Sequence, residues 1–147
     1  MMTEPSVLRH LIDIGISLSV ERDTTRLLER ILTSAQTLTQ ADGGTIYSVT
    51  ADKSLKFETL INNSLNMYMG GSSGVPIPFP SIPIYKEGQV NQHAIVAIAA
   101  AEGEMIHIPD AYACQQYDLS AARSMDQRTG YHTQSVLTIP MKNHEGE

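Results

Sequence analysis

One cysteine, Cys114, is all the thiol chemistry that this chain of 147 residues carries. A lone thiol rules out an internal disulfide and fits a reducing compartment, so a cytoplasmic location is expected. The chain has no run of Lys or Arg. Its formal net charge of −6 and pI of about 5.3 speak against a nucleic-acid partner, which wants a basic patch. The longest apolar run, Ala94–Ala101, is far short of the roughly 20 residues that a membrane-spanning helix needs. A basic region followed by a continuous apolar core, the mark of a signal peptide, is missing from the N-terminus. With these classes set aside, a composition of 41% apolar and 18% charged residues describes a globular chain, and the length suits one domain over 1–147.

Catalytic and metal-binding patterns are equally scarce. The five histidines, His10, His93, His107, His132 and His144, are scattered, and no two share the i, i+4 spacing of a helical zinc site. His107 and Asp110 straddle a strand end, but two ligands do not make a site. Nothing in the order of residues places a base beside Cys114. Gly70-Gly71 and Gly74 are not followed by Gly-Lys-Ser/Thr, so they do not form a phosphate-binding loop. No metal, no cofactor and no enzymatic activity are expected.

Apolar periodicity supplies the elements. Val7, Leu11, Ile14 and Leu18 fall at 4-3-4 spacing, a heptad-like seam on a helix over 6–20. A second stripe, Leu8, Ile12, Ile16 and Leu18, lies beside it, so this helix is a candidate for homodimerisation as well as for a broad core face. Asp23 is positioned to cap a second helix whose face is Leu27, Leu28, Ile31, Leu32, Ala35 and Leu38, with Gly43-Gly44 as its stop. Thr45–Thr50 and Leu55–Asn62 read as a β-hairpin around Ala51–Ser54. Asn62 to Gly74 is expected to be a loop or short helix. Pro76, Pro78 and Pro80 alternate within Val75–Tyr85, which fits an edge strand with prolines of one parity facing solvent or an extended segment, with polyproline II as the competitor. A short helix over Gln92–Ala101 ending near Gly103, a strand over Glu104–Ile108, a helix over Leu119–Gln127 and a last strand over Thr133–Met141 complete the reading. Asn143–Gly146 has the composition of a turn, and a returning strand is expected after it.

The stretch from Ile108 to Met141 gathers the polar side chains of interest. Asp110, Tyr112, Thr129, Tyr131 and Thr133 offer hydroxyls and one carboxylate at the mouths of two strands. A pocket for a heterocycle or an anionic small molecule wants a few such groups against apolar walls. Ordinary turn chemistry accounts for the same residues, with Asp110 capping the turn after Pro109 and Thr129-Gly130 shaping the next. On the residues alone both readings stand.

The order of helix, Asp42–Tyr47, hairpin, Ile108-Pro109-Asp110-Ala111-Tyr112, and Arg128 through Asn143 resembles a GAF domain, a small-molecule sensory module related in architecture to PAS domains. The likeness is strongest in Ile108–Tyr112 and Arg128–Asn143. The middle of the chain is similar to GAF domains of bacterial signalling proteins, which often precede HD-GYP phosphodiesterase, diguanylate cyclase or adenylate cyclase domains. The resemblance implies an α+β fold, with a central antiparallel sheet, helices on one face and a ligand pocket on the other. It implies a regulatory role through a small ligand, with cyclic nucleotides as one class, and a covalently attached output domain. In cyclic-nucleotide-binding members the Asp-Ala-Tyr segment and the Thr-Gly-aromatic-x-Thr segment contribute to or border the pocket. Thr129 and Thr133 match the latter, and Asp110 and Tyr112 the former. The family continues with a further strand and a long C-terminal helix, so either a longer natural protein or a strand supplied by another chain is expected. One thiol does not complete the disulfide cycle of methionine sulfoxide reductases of this fold, and Cys114 is followed by Gln115 where bilin-binding members often have His. The competing expectation is a ligand-free structural module that mediates dimerisation.

Overall fold

The computed structural model describes residues 12, 23–114 and 116–141. Apart from Ile12, the helix expected over 6–20 lies outside them, as does the turn expected at Asn143–Gly146. The described residues form two compact units, one containing 23–48 together with Lys56–Pro80, the other Val49–Leu55 and 81–141. It combines helices with antiparallel strands, an α+β fold.

In the first unit, helix α1 (Thr24–Thr39) starts after Asp23, which is itself extended and whose carboxylate accepts the Arg26 amide at 3.2 Å. Such a cap satisfies one of the amides that the first turn leaves without a partner. The helix ends at Gln40, which is left-handed at φ 57° and turns its amide back to the Gln36 and Thr37 carbonyls. The expected stop at Gly43-Gly44 is therefore corrected: these glycines already belong to strand β1 (Gly43–Val49). A Cβ on Gly44 would sit 2.7 Å from Leu32 Cδ1 and 3.2 Å from Gln36 Cγ, so the glycine allows the strand to pass close over the helix. Leu32 and Gln36 are the buried residues of α1, whereas Ala35, expected on the apolar face, is exposed. Gln36 can occupy that stripe because its amide lies within reach of the Asp42 and Ile61 carbonyls, at 3.4 and 3.5 Å.

Strand β2 (Ser54–Asn62) lies between β1 and β3 (Met67–Gly70), and pairs antiparallel with β3 from Thr59↔Gly70 to Asn62↔Met67. The hairpin expectation holds, but β3 falls where a loop or short helix was expected. The turn before it is closed by Asn62, whose side chain accepts the Leu65 amide at 3.0 Å. After β3 the Gly70–Gly74 segment is held against α1, because Ser72 donates its hydroxyl to Glu29 at 2.6 Å and the Tyr68 hydroxyl donates to the same carboxylate. Residues 75–80 are extended without strand pairing. Their prolines are exposed while Ile77 and Phe79 are half-buried, so the one-parity pattern is real although no ladder forms. Phe79 packs on Phe57 at 5.5 Å, and Phe57 on Tyr47 at 4.7 Å. Burial among these rings pushes the Tyr47 hydroxyl up to about 12, against a small opposing hydrogen bond to Thr45.

In the second unit, β4 (Ile82–Pro83) pairs with Ser54 and Leu55. Strands β5 (Tyr85–Lys86) and β6 (Gln89–Val90) form a tight hairpin through Glu87 and Gly88, at φ 54° and 78°. Helix α2 (Ile95–Glu102) is apolar from Ile95 to Ala101, buries Ile95, Ala97, Ile98 and Ala99, and stops at Gly103. It packs with β7 (Ile106–Ile108), Ala111 and Leu119 into one core of Ile95, Ile98, Ala99, Ile106, Ile108, Ala111 and Leu119. Helix α3 (Ser120–Thr129) follows, then β8 (Val136–Thr138) antiparallel to β7. Strand β8 covers only the middle of the stretch expected over Thr133–Met141, because only these residues face β7.

Candidate functional site

The register of β7 against β8 builds the site. Ile108 opposes Val136, so the segment leaving β7 and the segment entering β8 run side by side, and the Ala111 amide donates to the Gln134 carbonyl at 2.7 Å. Helix α3 closes over this junction. Its inward stripe is Leu119, Ala122, Arg123 and Asp126, and the last of these puts a carboxylate at a position only 6% exposed.

Asp126 is the hub. One oxygen, Oδ2, accepts the Tyr112 hydroxyl at 2.6 Å and the Thr133 amide at 2.8 Å; the other accepts the Thr133 hydroxyl at 2.8 Å. Burial alone would raise this carboxyl. The hydrogen bonds from Tyr112 and Thr133, helped by nearby His132, outweigh burial and hold it below the ordinary carboxylate range. The same bond pushes the Tyr112 hydroxyl up, with desolvation adding to it and the Arg123 charge opposing it. Tyr112 and His132 stack almost parallel, 4.3 Å between centroids with an 8° tilt. The Arg123 guanidinium lies over the Tyr112 ring, 5.6 Å from its centroid, and donates from Nη2 to the Ala111 carbonyl at 3.2 Å.

The five residues singled out from sequence divide. Tyr112 and Thr133, from two separated segments, meet at Asp126. Thr129 and Asp110 carry local turn chemistry. The Thr129 hydroxyl donates to the Met125 carbonyl at 2.9 Å and accepts the Tyr131 amide at 3.3 Å, while Asp110 accepts the Tyr112 amide at 3.0 Å. Tyr131 is half-buried beside Thr129. A single hollow for all five is the expectation from the sequence. An open depression of about 330 Å³ is lined by Asp110 together with His107, Pro109, Ala113, Cys114 and Tyr117, among others, and by none of the other four. A second depression, about 370 Å³, lies in the first unit at the end of α1, between Gln36, Thr37, Gln40, Asp42 and Asn63. Both are open to solvent.

Sequence reasoning missed Asp126, Arg123 and His132. Helical periodicity from Leu119 points Asp126 inward, and a charge on the inward stripe was the available signal. Among the described residues no cluster of three His, Cys, Asp or Glu side chains is fit to hold a metal ion, and no helix is long and apolar enough to cross a membrane.

Comparison with known proteins supports the reading of the fold. The family model of the GAF domain matches residues 23–147. A curated relative, the dual 3′,5′-cyclic-AMP and -GMP phosphodiesterase 11A of Takifugu rubripes, is 27% identical over 133 residues, an alignment covering 88% of this chain and 13% of that protein. The chain thus spans about an eighth of the length of this relative.

Proposed function

Because the chain belongs to the GAF domain family, we propose that it is a regulatory module without catalysis of its own, which binds a small ligand where the 110–112 and 129–133 segments meet. The observation that carries this reading is Asp126, a buried carboxylate joining Tyr112 to Thr133 across two separated segments. A ligand that engages either partner changes the hydrogen bonding of the other, which is what a sensor needs. A cyclic nucleotide is the ligand class we favour, since the relative above is named for acting on cyclic AMP and cyclic GMP. In this reading the module needs no cofactor and works in the cytoplasm. It dimerises through helix 6–20 and passes its state to a covalently attached output domain such as an HD-GYP phosphodiesterase or a nucleotide cyclase.

Thermal melting with cyclic AMP and cyclic GMP tests the reading. Ligand at a hundred times its Kd stabilises the folded state by about 2.7 kcal/mol. The Thr129→Ala/Thr133→Ala protein, once shown to be folded by circular dichroism, is expected to lose that response. A wild-type melting temperature unmoved by millimolar cyclic nucleotide contradicts the proposal.

One observation favours a second reading, a ligand-free module serving dimerisation. The hydroxyls of Tyr112, Thr129 and Thr133 already have partners inside the chain. Under that reading Leu11→Asp/Ile14→Asp abolishes the dimer in native mass spectrometry, and no nucleotide alters melting.

A further inference from the structure

From the surroundings of Arg123 we infer that this residue receives an oxyanion of the ligand, the phosphate where the ligand is a nucleotide. The inference rests on the ligand-binding reading above and adds to it the residue that recognises charge. Arg123 projects from the inward stripe of α3 and is half-buried. Its Nη2 donates to the Ala111 carbonyl and its guanidinium lies over the Tyr112 ring, but its Nε is wholly buried and has no acceptor. Among the described residues no carboxylate forms an ion pair with it. The nearby Asp126 is occupied by Tyr112 and Thr133.

That is an unusual state for an arginine. A half-buried cation is normally paired, and a buried N–H without an acceptor lacks the bond that would offset its lost hydration. A carbonyl and an aromatic face recover part of the deficit, but neither supplies a negative charge. An anion brought from outside supplies both missing elements, an acceptor for Nε and a countercharge, in the fork geometry that suits arginine to phosphate and carboxylate. The neighbouring Tyr112–His132 stack adds an aromatic surface next to this cation. The pairing of a flat aromatic surface with an anion receptor fits a phosphorylated heterocycle better than a simple anion. Nε is enclosed, so access to it requires this junction to open, and a movement of the Tyr112 ring over the guanidinium would break its bond to Asp126. Charge recognition is thereby tied to the hub.

The experiment is calorimetric titration of the whole chain and of its Arg123→Gln and Arg123→Lys variants with cyclic GMP, cyclic AMP, guanosine and inorganic phosphate. The wild type is expected to bind a cyclic nucleotide more tightly than guanosine, with phosphate competing. Arg123→Gln weakens the cyclic nucleotide about ten- to hundredfold, the range of a hydrogen bond to a charged group, and leaves guanosine unchanged. Arg123→Lys, which keeps the charge but loses the Nε direction, weakens it less. It also carries the test if the Gln variant fails to fold. Cyclic-nucleotide affinity equal in wild type and both variants overturns the role of Arg123 while sparing the ligand-binding reading. Phosphate bound through Arg123 with no nucleotide bound keeps the anion site and removes the nucleotide as its ligand. A wild type that binds none of the four overturns both.

Discussion

Replacing Asp126 with Ala removes the acceptor of three hydrogen bonds at once, from the Tyr112 hydroxyl, the Thr133 amide and the Thr133 hydroxyl. A hydrogen bond to a charged group contributes about 1.5–3 kcal/mol, but the three do not simply add. Tyr112 is 41% exposed, so its hydroxyl finds water when the carboxylate goes, and its share of the loss is small. Thr133 is half-buried and loses two bonds, one of them from its backbone amide. Against this, Ala relieves the cost of keeping a carboxylate desolvated. The expected net loss is about 2–3 kcal/mol, which at roughly 2–4 °C per kcal/mol for a chain of this size lowers the melting temperature by about 5–10 °C. Asp126→Asn is the informative control. The Thr133 hydroxyl both donates and accepts, so it can rotate to take the new amide N–H while the remaining carbonyl oxygen keeps Tyr112 and the Thr133 amide. Only the charge assistance disappears, at about 1 kcal/mol. Urea unfolding followed by far-ultraviolet circular dichroism measures both variants. An Asn variant as damaged as the Ala variant, or an Ala variant within 0.5 kcal/mol of wild type by the roughly ±0.5 kcal/mol standard of surface substitutions, refutes the hub.

Acid unfolding reports the same carboxyl. Its folded value lies below its unfolded one, so its contribution is complete above about pH 4, the ordinary range of an aspartate, and is lost as pH falls through the lower folded value. Asp126→Asn should therefore narrow its deficit against wild type as pH falls below about 4; a constant deficit from pH 7 to 2 would contradict the shift. Gly70→Ala and Gly74→Ala separate two penalties, since both glycines have positive φ, 70° and 77°. A Cβ at Gly70 would lie 2.2 Å from the Glu58 carbonyl oxygen, whereas at Gly74 it meets nothing within 4 Å. Conformation alone costs about 1–2 kcal/mol, so Gly74→Ala should lose about that much and Gly70→Ala clearly more; equal losses in urea unfolding would count against the close approach. Alkaline spectrophotometric titration should show a tyrosine ionising at about 12 that Tyr47→Phe removes. Folding stability linked to this group is full below its unfolded value near 10 and declines as pH rises toward 12.

The parts of the fold legible in the sequence are those fixed by neighbours along the chain. Asp23 caps α1 through an amide three residues on, Gly103 ends α2, and Pro109 follows directly on β7. Each is a local signal and each is where the sequence placed it. What escaped depends on pairing or packing across the chain. Strand β3 is four residues between polar turns, too short for a period, and exists because Thr59–Asn62 offers it a partner. Gly44 has the composition of a helix stop, and its role as a close-approach residue is visible only once Leu32 lies beneath it. Ala35 and Gln36 differ by one helical step of 100°, and the polar one is buried because carbonyls from two other segments reach it. The candidate site divided the same way. Tyr112 and Thr133 were recoverable from their family-like segments, while Asp126 and Arg123 sit on a polar helix where charge is ordinarily read as facing water.

The closed hydrogen bonding of the site sets a condition on any sensing role. Tyr112 and Thr133 are satisfied by Asp126 without a ligand, so a ligand that bonds either of them exchanges one partner for another and draws no differential affinity from that bond alone. It must instead satisfy something that the ligand-free chain leaves unsatisfied, and Arg123 Nε is that group at this junction. A ligand that binds the closed and the rearranged states equally shifts no population however tightly it binds. The differential affinity that a sensor requires then comes from the arginine, and the structural change comes from Tyr112 leaving Asp126. On this argument Tyr112→Phe, which removes the bond from the closed state and leaves the stack with His132, makes the rearranged state easier to reach. Its cyclic-nucleotide affinity should rise by about three- to tenfold, since one partly exposed hydrogen bond no longer holds the closed state. A Phe variant that binds more weakly than wild type would mean that the hydroxyl contacts the ligand itself, and the latch between Tyr112 and Asp126 would have to be abandoned.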